Sequence, residues 1–77
     1  MKETTNDSAE NSHYTPSAIM QFFEYEHLPA HLQAVSKPFG DLAREMDKTL
    51  PANAEKSTAL RKLLEGKDAA VRALLFK

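Results

Sequence analysis

The stretch ALRKLLEGKDAAVRALL, residues 59–75, decides the fold. On a wheel of about 100° per residue it carries two apolar sets side by side. Leu60, Leu64, Val71, Leu74 and Leu75 form a stripe of large residues, and Ala59, Leu63, Gly66, Ala70 and Ala73 a neighbouring stripe of mostly small ones. Together they cover about 200° of arc, more than the single buried face of a surface helix needs. Gly66 costs roughly 1 kcal/mol relative to alanine in a helix interior. Its place in the small stripe reads as room for another helix to approach closely. Arg61, Glu65, Asp68 and Arg72 line the polar side, where Arg61–Glu65 and Asp68–Arg72 have the spacing of i,i+4 ion pairs.

This helix has a clear start. Asn53 is a capping residue, and Glu55 in the first turn complements the helix dipole, so the pattern predicts a helix over 53–76. Upstream, Leu28, Leu32, Val35, Phe39, Leu42 and Met46 recur at alternating steps of four and three, the seam of a second amphipathic helix over 29–50. Pro29 suits its first turn. Pro38 removes the bond to the Ala34 carbonyl and predicts a kink. The apolar spacing stays in phase across Pro38, which favours one kinked helix over two. Two helices of similar length joined by Pro51–Ala52 imply an antiparallel hairpin. A lone hairpin satisfies one stripe per helix, so the second stripe on 59–75 predicts self-association.

The rest of the chain is shorter on apolar residues. Residues 1–17 are rich in Ser, Thr, Asn and Glu and read as a flexible polar tail. Residues 18–28, AIMQFFEYEHL, are an aromatic lead-in, too short for an independent helix and suited to packing on the hairpin. The domain expected is therefore 18–77, all-α.

Composition narrows the function. The 77 residues contain no cysteine, which removes disulfides and thiolate metal sites and suits a reducing cytoplasm, that of a bacterial host in the reading developed below. No apolar run approaches the ~20 residues of a membrane span, and the N-terminus lacks a signal-peptide core. A soluble cytoplasmic protein without membrane association is expected. Residues 1–28 carry one basic and five acidic side chains, net −4; residues 29–77 carry nine basic and six acidic, net +3. Such a body suits a small anion better than long nucleic acid.

Catalysis finds little in the sequence. His27 and His31 are four apart, but Pro29 separates them and no third ligand follows at a metal-site spacing. Ser36, Ser57 and Thr58 have no evident base, and there is no glycine-rich phosphate loop. No enzyme, no metal and no cofactor is expected. Binding has more material. Tyr25, with Phe22 or Phe23, offers rings for stacking on a flat ligand, and Lys37, Arg44, Arg61, Lys62 and Arg72 offer phosphate contacts. The plainer alternative makes the aromatics core and the basic residues a solvated face.

The stretch LLEGKDAAVRALL resembles the last helix of small phage proteins that act as cyclic-nucleotide sponges against CBASS and Thoeris immunity. Leu63, Gly66, Ala69, Arg72 and Ala73 fall at that helix's spacing, and Tyr25, Leu28, Val35, Phe39, Leu42 and Met46 resemble the segment before it. Glu55, Ser57 and Ala59 match the capped helix start of a related group. The resemblance spans about residues 25–75. It implies a hairpin in a homo-oligomer, a hexamer in that family, that sequesters cyclic di- or trinucleotides or cyclic ADP-ribose isomers without cleaving them. It also implies a dinucleotide contact for Tyr25 and a phosphate contact for Arg72. The family's first-helix lysine falls near Gly40 here, with Lys37 one turn away. The candidate ligand-binding set is then Tyr25, Phe23, His27, Lys37, Arg44, Lys62 and Arg72. A helical adaptor that binds another protein through the aromatic segment and surplus apolar face is the alternative.

Overall fold

A computed structural model describes residues 14–76 of the chain. A 3-10 helix, Ala18–Phe23, leads into α1, Ala30–Thr49, and α2, Ala54–Leu75. The described residues form an all-helical structure in which the two long helices pack against each other. Asp47 faces Lys56, Ala43 shares a core cluster with Leu60, and the Phe39 ring lies against Gly66. Numbers that fall along α1 rise along α2, so the hairpin is antiparallel.

Local chemistry sets the helix ends. Pro29 stands immediately before α1 rather than in its first turn, and its carbonyl accepts from Leu32 and Gln33 N–H at 3.0 and 2.9 Å. Its missing N–H costs nothing there. The Gln33 amide donates to the Glu26 and Leu28 carbonyls at 3.1 and 2.8 Å, which fastens the preceding turn to α1. α1 remains helical on both sides of Pro38. Pro38 and Ala34 are both exposed, so the carbonyl that proline leaves without an N–H faces water. Asn53 caps α2 as its residue type predicts, accepting from Lys56 N–H at 2.9 Å.

Burial departs from the seam expected for α1. Its buried residues are Ser36, Gly40, Ala43 and Asp47, a run of small side chains and one carboxylate. Val35, Phe39 and Met46 are half-buried and Leu42 is 50% exposed. The two sets lie about 90° apart round the helix. The physical reason is the lead-in, which lies across the small-residue face and approaches the α1 backbone too closely for larger side chains. A Cβ on Gly40 would sit 2.8 Å from the Phe23 carbonyl oxygen and 3.0 Å from the Tyr25 ring. Met20 and Phe23 from the lead-in, Ala43 from α1 and Leu60 from α2 form the core.

Close approach was expected at Gly66, and the structure moves it to Gly40. Gly66 is exposed, and a Cβ there would meet Phe39 at an ordinary 3.7 Å. The flexible tail was expected over residues 1–17, and two of its last four residues are held in place. Residues 1–13 lie outside the described residues, whereas Tyr14 and Ser17 are hydrogen-bonded to Asp47 on α1. Among the described residues no helix is long and apolar enough to cross a membrane.

Candidate functional site

Lys37, Asp41 and Arg44 stand at i, i+4 and i+7 on α1 and therefore share a face. Tyr25 reaches that face from the turn after the lead-in. Its hydroxyl donates to Asp41 Oδ1 at 2.9 Å, while its ring is buried against Gly40. Lys37 Nζ donates to Asp41 Oδ2 at 2.7 Å and stands 5.7 Å from the centre of the Tyr25 ring, within cation–π range. Arg44 Nη1 is 3.5 Å from Asp41 Oδ1. The Lys37 hydrogen bond, followed by that of Tyr25, holds the Asp41 carboxyl below the usual carboxylate range against a small opposing effect of burial. The same hydrogen bond to Asp41, with the attraction of its charge, raises the Lys37 ammonium. The cluster carries two cations to one carboxylate, all of them open to solvent, and Arg44 extends it into an open cleft of about 390 Å³ lined by Tyr14, Ser17, Met20, Gln21 and a second carboxylate, Glu24.

A second cluster lies at the hairpin's closed end. Asp47, with 4% of its surface exposed, accepts from the Tyr14 hydroxyl, the Ser17 N–H at 3.0 Å and the Ser17 hydroxyl at 2.6 Å, and pairs with Lys56 Nζ at 3.1 Å. Lys56 Nζ also donates to the Asp47 carbonyl at 2.8 Å. Burial alone would raise the Asp47 carboxyl. The donors from Ser17, Tyr14 and Lys56 outweigh it and hold the group well below the carboxylate range. Burial, then the bond to Asp47, pushes the Tyr14 phenol up to about 12. With every lone pair occupied, Asp47 ties the lead-in, α1 and α2 together and has no capacity left for a ligand.

Three members of the candidate set, Tyr25, Lys37 and Arg44, are thus brought together by Asp41. Phe23 is not available for stacking: it is 2% exposed and belongs to the core. Tyr25 is buried along its ring for the same reason, because both pack on the small-residue face of α1. Phe22, 57% exposed, is the lead-in ring with a free face. His27 is exposed on the turn. Lys62 and Arg72 are exposed on α2, and Asp41 lies on the side of α1 turned away from α2. Lys62 pairs with Glu65 at 3.7 Å and Lys67 with Asp68 at 3.2 Å, in place of the i,i+4 pairs expected for Arg61 and Arg72.

Sequence reasoning missed Asp41 and Asp47. Asp41 had a signal, its spacing of four from Lys37 and three from Arg44. Asp47 had none, since its donors are thirty or more residues away for Tyr14 and Ser17. Among the described residues no group of three or more His, Asp or Glu side chains is placed to hold a metal ion. Compared with protein-family models, curated proteins and solved structures, the chain matches none of them.

Proposed function

We propose that the protein binds and sequesters a small cyclic nucleotide of the kind used in bacterial immune signalling, without cleaving it, as a homo-oligomer in the host cytoplasm. The observation that carries this reading is the convergence of Tyr25, Lys37 and Arg44 on Asp41 at a solvent-open face. Lys37 and Arg44 present two cations around one shared carboxylate, and Glu24 stands on the wall of the adjoining cleft. A phosphate diester can meet the exposed ammonium of Lys37 and take two donors from Arg44. Tyr25 acts here from below, by holding Asp41 and lying under Lys37. Arg72 and Lys62 lie on the other helix, so they reach the same ligand only from a second copy of the chain. The half-exposed apolar residues of the hairpin support such an assembly.

Titration calorimetry with a panel of cyclic dinucleotides, cyclic trinucleotides and cyclic ADP-ribose isomers tests this. At least one ligand binds in the micromolar range or tighter, and Lys37→Ala with Arg44→Ala weakens it at least tenfold, about 1.4 kcal/mol. Binding no tighter than about millimolar across the panel would sink the proposal. A protein partner captured through exposed Phe22 and the surplus apolar helix face, with no nucleotide bound, would instead favour the adaptor.

A further inference from the structure

The lead-in presents a polar row of its own to the cleft that Arg44 borders. Ala18, Gln21 and Glu24 recur every three residues, the period of a 3-10 helix, and all three are exposed and line that cleft. Gln21 and Glu24 therefore stand on one side of the lead-in, about 6 Å apart along it at roughly 2.0 Å per residue. Gln21 Nε2 donates to the Ala18 carbonyl at 3.0 Å, which fixes the orientation of the amide and leaves a second N–H for another partner. Glu24, when ionised, can only accept. Arg44 borders the same cleft from α1, but its guanidinium turns to Asp41, and no ion pair joins it to Glu24. The cleft thus offers a cation from α1 and an amide followed by a carboxylate from the lead-in. Its volume of about 390 Å³ lies near the low end for ligand clefts and suits one nucleoside unit.

A carboxylate repels a phosphate, so Glu24 calls for a part of the nucleotide that donates. Among the common bases only guanine sets two donors side by side, N1–H and the N2 amine, with the acceptor O6 next to them on the same edge. We infer that the Gln21–Glu24 row reads this edge of a guanine base, with Glu24 accepting from N1–H and the N2 amine, Gln21 donating to O6, and Arg44 holding the phosphate. Adenine and cytosine each place a ring-nitrogen lone pair beside their amine, and uracil flanks a single N3–H with two carbonyls. Each of them sets an acceptor against the carboxylate and loses a hydrogen bond to a charged group. Pro16 and Met20 supply apolar wall for the ring. The inference rests on the nucleotide reading above and adds the base to it: among cyclic ligands, those that contain guanine bind best.

Nuclear magnetic resonance titration of the full chain with GMP, IMP, AMP and UMP tests it, since all four carry the same phosphate. GMP is expected to bind at least about tenfold tighter than AMP or UMP, with IMP, which lacks the N2 amine, in between. Glu24→Ala removes the GMP advantage by weakening GMP alone, whereas a carboxylate that merely repels phosphate would, once removed, tighten all four equally. Arg44→Ala weakens all four alike. Equal affinities, a preference for AMP or UMP, IMP as tight as GMP, no binding of GMP, or a GMP advantage that survives Glu24→Ala would each overturn the inference. The cyclic panel separates it from the sequestration proposal. A cyclic ligand without guanine that binds best leaves that proposal standing and overturns this one, and a GMP preference with no cyclic ligand bound does the reverse.

Discussion

A Cβ added to Gly40 would meet the Phe23 carbonyl oxygen at 2.8 Å, whereas one added to Gly66 meets only the edge of Phe39 at 3.7 Å. Both glycines are helical, so both carry the same propensity cost of roughly 1 kcal/mol. Only at Gly40 does the surrounding structure require it, because the obstacle is backbone and cannot rotate away. Gly40→Ala is expected to destabilise the fold by about 1–3 kcal/mol through overpacking. Gly66→Ala is expected to raise stability by up to about 1 kcal/mol, since its Cβ has room. Thermal melts of the two variants should move in opposite directions by several degrees, given about 4–8 °C per kcal/mol for a domain of this size. A melting temperature lowered by both would mean that Gly66 is packed as tightly as Gly40.

At the scale of the element, α2 is the more autonomous helix. It has its own cap, Asn53, an acidic first turn at Glu55, and strong helix formers through most of its length. Only Leu60 is fully buried among its residues, so local terms carry an unusual share of its stability. Asn53→Ala should cost about 1 kcal/mol, read as a lower urea midpoint with an unchanged slope, and should speed amide exchange in the first turn of α2. The lead-in is the reverse case. A 3-10 helix of six residues has no stability of its own, and Met20 and Phe23 hold it only by entering the core.

Over the whole molecule, three segments meet at Asp47. Removing its carboxylate leaves Lys56, 14% exposed at the side chain, without its ionic partner and frees Tyr14 and Ser17 together. Asp47→Ala is expected to cost about 3–5 kcal/mol, enough to unfold most of a small domain's population. The folded-state pKa lies below the unfolded one, so the stabilisation is complete above about pH 4 and falls away as acid protonates the folded carboxylate. Tyr14 has the opposite sign. Its pKa is raised to about 12, and its contribution is lost as pH climbs from about 10. Denaturant midpoints of the wild type should drop steeply below about pH 4, and Asp47→Asn should flatten that acid limb. A wild-type midpoint that does not move in acid would show that Asp47 is not the clasp described here.

Periodicity, caps and loop length act within a few residues, so the two long helices, the Asn53 cap, the short connection and hence the hairpin were legible before any fold was known. The sequence also carried part of the candidate site, since Lys37 and Arg44 lie at helical spacing from each other. Which face each helix buries was settled by contacts across the fold. The lead-in arrives from a separate stretch of chain and selects the small-residue face of α1, which takes Phe23 and the Tyr25 ring out of solvent. That packing leaves Leu42 and Gly66 on the open face, and it makes Gly40, not Gly66, the point of close approach. A helical wheel records which residues share a side but not what comes to cover it; that depends on contacts between residues distant in the chain.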